Sequence, residues 1–243
     1  VDKGDNSVNP SGPYPGRQLF IGITQNGNPC VAYLVTGRSP ASRERKAVLT
    51  NNGIIIGPIG NQPYDPLRHY TGLKHDNSTG IIAVSNGIQT EAIFETYKLL
   101  FNTNSNPAKD IMEKLLDGAQ AEPDSLHTPR IAGTVTYSPE GKLVLIAGIK
   151  CNAVPARAFY LEQAPGILTG VSTYKGSLEN PAPFDVETGL SKIEFKGKTP
   201  IELAEHLFEI SKATYNEEDI RVCAVAGIRS EDKQNWQIAM RNR

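Results

Sequence analysis

The chain has 243 residues, with 25 basic and 26 acidic side chains and a formal net charge of −1. This length suits one or two domains and can bury about 70–75% of the unfolded surface without disulfide or metal support. The near-neutral balance argues against broad binding to nucleic acid or anionic membranes, and no apolar run approaches the ~20 residues of a membrane span.

Residues 1–13 are rich in Asp, Asn, Ser, Gly and Pro and lack apolar periodicity, which predicts a disordered N-terminal arm. Order is expected from Tyr14, as a single domain over 14–243. Gln18–Thr24 and Cys30–Thr36 alternate as strands around Gln25-Asn26-Gly27-Asn28, and Asn-Gly in that setting signals a hairpin. Ile54–Ile59 and Gly80–Val84 read as further strands. Glu91–Phe101 reads as a helix with Ile93, Tyr97, Leu100 and Phe101 on one face. A second helix is expected over Pro107–Leu116, capped by Asn106 and stopped at Gly118. A second hairpin joins Ile131–Tyr137 to Leu143–Lys150 across Pro139-Glu140-Gly141-Lys142.

Strands follow at Ala158–Glu162, Ile167–Tyr174, Ile220–Ile228 and Gln234–Met240. The third helix, Pro200–Thr214, opens on a capping box of Thr199 and Glu202 and lines up Leu203, Leu207 and Ile210. Strands thus outnumber helices, with no regular βαβ alternation. The pattern predicts an α+β class of antiparallel sheets with helices packed outside.

The three cysteines, Cys30, Cys151 and Cys223, are odd in number and far apart, so reduced structural thiols are expected rather than a disulfide framework. With no basic-then-apolar signal pattern at the start, the expected compartment is the cytoplasm. His69, His75, His127 and His206 lack metal-site spacing. Neither G-x-G-x-x-G, a Walker loop nor G-x-S-x-G is present. Nothing near Tyr14 offers the terminal Cys, Ser or Thr of a self-processing hydrolase.

What remains is polar residues on turns beside apolar strands. Arg38, Arg43, Arg45 and Lys46 crowd the stretch Gly37–Lys46, where guanidinium forks can cradle a phosphate or simply face water. Ser85-Asn86-Gly87-Ile88-Gln89-Thr90-Glu91 runs from strand end to helix start, as an anion site or a plain turn and cap. Asp65–Tyr70 is a polar loop holding a tyrosine hydroxyl. Glu122-Pro123-Asp124 precedes Thr128-Pro129-Arg130, either as an acid/base pair or as a loop ion pair.

In this order the segments resemble the archaeal-type IMP cyclohydrolase family. The landmarks are Tyr14-Pro15-Gly16-Arg17, Val31-Ala32-Tyr33, Arg38-Ser39 with Arg43, Ser85-Asn86-Gly87 with Glu91, Thr128-Pro129-Arg130-Ile131-Ala132, and Cys223-Ala224-Val225-Ala226. The likeness runs from about Tyr14 to Ile228 and departs at Pro40-Ala41-Ser42 and Thr71-Gly72.

The resemblance implies a four-layer α-β-β-α sandwich, like that of N-terminal nucleophile hydrolases but without self-cleavage. It also implies ring closure of 5-formamidoimidazole-4-carboxamide ribonucleotide to IMP with loss of water, needing no metal or cofactor. By resemblance, Tyr70, Glu122 and Arg43 fall in the active site, with Asp124 as the neighbouring alternative to Glu122. Arg17, Arg38, Ser39, Asn86, Gly87 and Arg130 are expected to bind substrate. The phosphate is expected on Arg38 and Arg43 with help from Arg17, while Arg45 is expected to face solvent. The expected partner is a purine ribonucleotide, with neither nucleic acid nor membrane involved, and a homo-oligomer is expected. The rival reading, suggested by the loop departures, is a homologue that binds the nucleotide without chemistry.

Overall fold

The structure, a computed structural model, describes residues 14–230 and 234–243; the arm expected at 1–13 lies outside them. The chain opens with the expected hairpin, β1 (Arg17–Ile23) and β2 (Pro29–Thr36). Gly27 at its turn has φ +83, a conformation that costs glycine little, and its amide donates to the Thr24 carbonyl at 2.9 Å.

The arginine-rich stretch is more ordered than its composition suggests. It holds a one-turn helix, α1 (Pro40–Arg43), and leads directly into β3 (Arg45–Thr50). Then come β4 (Gly53–Pro58), β5 (Tyr70–His75), β6 (Ile82–Ser85), α2 (Gln89–Asn102) and α3 (Lys109–Ala119). After them run β7 (Arg130–Tyr137), β8 (Leu143–Lys150), β9 (Arg157–Tyr160) and β10 (Ile167–Ser172). A small ribbon, β11 (Tyr174–Gly176) with β12 (Pro181–Pro183), precedes β13 (Ser191–Glu194) and α4 (Pro200–Ile210). The two-residue strands β14 (Thr214–Tyr215) and β15 (Glu218–Asp219) lead into β16 (Arg221–Arg229) and β17 (Trp236–Asn242).

Two sheets dominate, and both are antiparallel throughout. One has six strands in the order β13-β10-β1-β2-β16-β17; the other is a seven-stranded meander from β3 to β9. Leu19, Ile21, Val31 and Val35 from the first sheet meet Ile54, Ile56, Leu73, Ile82 and Val135 from the second in one buried core. Alternation sends the other faces outward. Phe20, Ala32 and Leu34 pack on Leu203, Leu207 and Phe208 of α4, while Ala83, Ala132 and Ile146 pack on Ile93, Tyr97, Met112 and Leu116 of α2 and α3. The fold is α+β, mostly antiparallel sheet with four α-helices among the described residues.

Four local readings need correction. The second helix starts at Lys109 rather than Pro107, because Ala108 is extended and its carbonyl accepts the Tyr97 hydroxyl at 3.0 Å; the helix then runs through Gly118. The last helix keeps its capping box but stops at Ile210, where Arg221 donates to the Phe208 carbonyl at 3.0 Å. Ile210 and Phe101 are exposed; Phe208 and Phe94 take the buried positions instead. Finally, Tyr70 is not a loop residue but the first residue of β5.

All three cysteines are free. Cys30 and Cys223 are buried, and burial pushes both thiols up to about 12. Among the described residues, no helix is long and apolar enough to cross a membrane.

Candidate active site

Antiparallel pairing brings strand starts and strand ends alternately to one rim. Arg17 starts β1, Thr36 ends β2 and Ser172 ends β10; in the facing sheet Arg45, Tyr70 and Arg130 start their strands, while Ser85 ends β6. Over this rim lies a cleft of about 410 Å³, whose lining includes Arg17, Arg38, Ser39, Arg45, Asp124 and Tyr174. Three guanidiniums against one carboxylate make it a cationic recess.

Behind Arg17 sits a buried ion cluster. Glu122, 2% exposed, accepts on Oε1 from Arg17 Nη2 at 2.7 Å, Arg130 Nη1 at 3.0 Å and Asn86 Nδ2 at 3.4 Å. No described donor reaches its Oε2 within hydrogen-bonding distance. Asn86 is fixed in turn by the Pro129 carbonyl, the Ile131 amide and Gln89. Burial disfavours the Arg17 charge most strongly, but Glu122 together with Tyr70 and Tyr33 outweighs it and raises its pKa. Burial and the like charge of Arg17 lower that of Arg130. Both guanidiniums remain protonated.

Gly87 makes room for this cluster. A Cβ there would stand 2.1 Å from Arg130 Nη1 and 2.7 Å from Gln89 Oε1. The Nε atoms of Arg17 and Arg130 and the Oε1 of Gln89 are buried without protein partners.

Two tyrosines meet across the sheets next to Arg17. Tyr33 of β2 and Tyr70 of β5 share a hydrogen bond of 2.7 Å between their hydroxyl oxygens. At the cleft wall, Asp124 accepts from the Thr128 amide at 2.8 Å and from its hydroxyl at 2.5 Å, and that hydroxyl also meets Tyr174. Burial pushes the Tyr174 phenol up to about 12, with Thr128 and Arg17 pulling the other way. Tyr14 stacks on Tyr174 at 5.7 Å, and Arg38 lies 5.5 Å from the Tyr14 ring centre.

Within the arginine-rich stretch the placement of two residues differs from expectation. Arg45 is not solvent-facing: it is 3% exposed, lines the cleft and donates to the Ser42 carbonyl at 2.8 Å. Arg43 is buried and turned inward, its Nη1 donating to the Arg38 carbonyl at 2.5 Å, so that it braces the loop without lining the cleft. The rim thus gathers Arg17, Arg38, Ser39, Asp124, Glu122, Asn86, Gly87, Arg130 and Tyr70. Tyr33, Arg45, Thr128 and Gln89 join them without having been singled out as site residues. Thr128, Gln89 and Tyr33 stood inside motifs already noted, Tyr33 as the end of the landmark Val31-Ala32-Tyr33 on an apolar strand.

Residues 14–233 match the family model described as IMP cyclohydrolase-like protein. The chain belongs to that family. It is 29% identical over 232 residues to IMP cyclohydrolase of Methanocaldococcus jannaschii, covering 95% of this chain and 100% of that protein. IMP cyclohydrolase of Thermococcus kodakarensis is 28% identical over 81% of this chain and 86% of its own length. That of Methanothrix thermoacetophila is 24% identical over 94% and 98%. An IMP cyclohydrolase-like chain therefore runs across nearly the whole described rim, from Tyr14 onward.

Proposed function

We propose that this protein is an IMP cyclohydrolase, closing 5-formamidoimidazole-4-carboxamide ribonucleotide to IMP with loss of water. The observation that carries the reading is the pair of guanidiniums, one from each sheet, on a single buried carboxylate behind an arginine-lined cleft.

Ring closure joins the carboxamide nitrogen to the formyl carbon of the same molecule. Held in the closing rotamer, such partners react with effective molarities of about 10⁵–10⁸ M. The nitrogen gives up a proton and the formyl oxygen takes one, forming a carbinolamine. Its hydroxyl then leaves as water with a second proton, while the former formamide nitrogen loses its own and the C=N bond forms.

Arg38, Ser39 and Arg45 suit the 5′-phosphate, because guanidinium forks match phosphate oxygens in pairs. Glu122 suits the proton acceptor: three donors hold Oε1 still, which leaves Oε2 for the carboxamide proton. Asp124 suits that task less well, since Thr128 engages both of its oxygens. The Tyr70 hydroxyl and Arg17 suit the charge that develops on the formyl oxygen. Arg43 acts by bracing the loop backbone, and Asn86, Gly87 and Arg130 keep Glu122 in register. The helices on the outer faces of two facing sheets support a four-layer α-β-β-α arrangement of N-terminal-nucleophile-hydrolase type, within one domain.

The test is incubation with the formylated ribonucleotide while IMP is followed by absorbance. Enzyme-dependent IMP formation is expected. Tight IMP binding with no turnover would instead make the chain a nucleotide-binding homologue without chemistry.

A further inference from the structure

We infer that Tyr33 is a positioning residue for this reaction, donating its hydroxyl proton to the Tyr70 oxygen so that Tyr70 turns its own proton to the substrate. The inference rests on the reading of Tyr70 as donor to the formyl oxygen. Its observations are separate: the 2.7 Å contact between the two hydroxyls, the complete burial of Tyr33, and its origin on the opposite sheet.

A hydroxyl has one hydrogen to give and two lone pairs to receive with. Only one of the two tyrosines can donate along their shared bond. Tyr33 has no other described hydrogen-bond partner, and its ring lies in the core between the sheets, so among the described residues its proton points to Tyr70. If Tyr33 donates there, the Tyr70 proton is free to point elsewhere, while its oxygen already accepts a hydrogen bond. Burial, followed by Tyr70 itself, raises the Tyr33 phenol well above the usual range, consistent with a permanent donor.

The charged groups around the pair favour the same arrangement. Arg17 acts on both phenols, Arg130 on Tyr70 and Arg45 on Tyr33. When Tyr70 passes its proton to the formyl oxygen, the charge left on it is met by the Tyr33 hydrogen and these guanidiniums. Tyr70 recovers a proton when the former formamide nitrogen releases its own, and Glu122 passes the carboxamide proton to the departing hydroxyl, so the relay closes without net change. The hydrogen bond from Tyr33 strengthens as charge grows on Tyr70, which assigns its effect to the rate rather than to binding.

The experiment compares Tyr33→Phe, Tyr70→Phe and the double variant, each of which keeps the ring and removes only the hydroxyl. Tyr33→Phe is expected to lower kcat by about 10-fold to 100-fold with KM within roughly three-fold. The double variant should be no slower than Tyr70→Phe alone, because Tyr33 acts only through Tyr70. As a readout independent of turnover, ¹⁹F NMR of fluorotyrosine-labelled protein follows the Tyr70 resonance, assigned by its loss in Tyr70→Phe. That resonance should move in Tyr33→Phe, because the Tyr70 oxygen loses the hydrogen bond it accepts. A slow Tyr70→Phe beside a normal Tyr33→Phe, multiplying losses in the double variant, or an unmoved Tyr70 resonance would each overturn the inference. A Tyr70→Phe that turns over normally would instead remove Tyr70 from the proposed chemistry.

Discussion

Arg17 donates to Glu122 at 2.7 Å across 105 positions of sequence, tying the first strand of one sheet to the loop that enters β7 of the other. Because the pair is buried, removing the carboxylate leaves two guanidiniums uncompensated. Glu122→Ala is therefore expected to lower unfolding free energy by about 3–5 kcal/mol, read from urea denaturation. The near-isosteric Glu122→Gln, assayed where it stays folded, should lose at least ~10²-fold in kcat with IMP affinity within a few-fold. Normal turnover in that variant would pass the proton-acceptor role to Asp124, tested next as Asp124→Asn.

Arg45 and Arg43 separate contact from support. Arg45→Ala removes a guanidinium from the cleft and should weaken IMP binding by about 10-fold to 100-fold, since charge-assisted bonds to phosphate are worth about 1.5–3 kcal/mol. Binding of inosine, which lacks the phosphate, should barely change. Arg43→Ala frees the carbonyls of Gly37 and Arg38 and should lower the melting temperature together with IMP affinity. Calorimetric titration with both ligands decides; unchanged IMP affinity in Arg45→Ala would dismiss the phosphate assignment.

Gly87→Ala should disable the enzyme out of proportion to its size. The added methyl would stand 2.1 Å from Arg130 Nη1, so the guanidinium must leave Glu122 or the turn must open. The expected outcome is a loss of kcat on the order of 10²-fold in a protein that still gives a native circular dichroism spectrum. Retained activity would mean that Arg130 is not needed where it sits.

His69 links the site to pH. The Asp65 amide donates to its Nδ1 at 2.9 Å, which requires that nitrogen to be unprotonated, and this turn leads directly into Tyr70. Burial, with the neighbouring charge of Arg68, holds its pKa below 6.5. A histidine lowered in the folded state contributes stability that is complete above its unfolded value near 6.5 and is lost as pH falls through the folded one. Stability should therefore decline below about pH 6.5, and His69→Gln should flatten that decline in denaturation curves collected from pH 7.5 to 5. Parallel curves for both proteins would exclude the turn as its origin.

What the sequence determined by itself was local. Asn26-Gly27 between alternating runs specifies the β1–β2 hairpin, Pro139–Lys142 specifies β7–β8, and Thr199 with Glu202 specifies the start of α4. In each case turn chemistry or a cap acts within a few residues. Motif order also carried Arg17, Arg38, Asn86, Glu122 and Arg130 to one rim, because a chain alternating between strand starts and strand ends returns its turns there. Tertiary structure alone decided which polar groups face each other. Arg45 sits in a run of charge that reads as solvated, yet β3 draws it under the loop, where the Ser42 and Thr36 carbonyls receive it. Tyr33 reads as one more core residue of an apolar strand; its hydroxyl acquires meaning only when the second sheet packs on the first and sets Tyr70 at 2.7 Å. Such pairings depend on sheet-on-sheet packing between residues tens of positions apart, for which no local pattern in the chain exists.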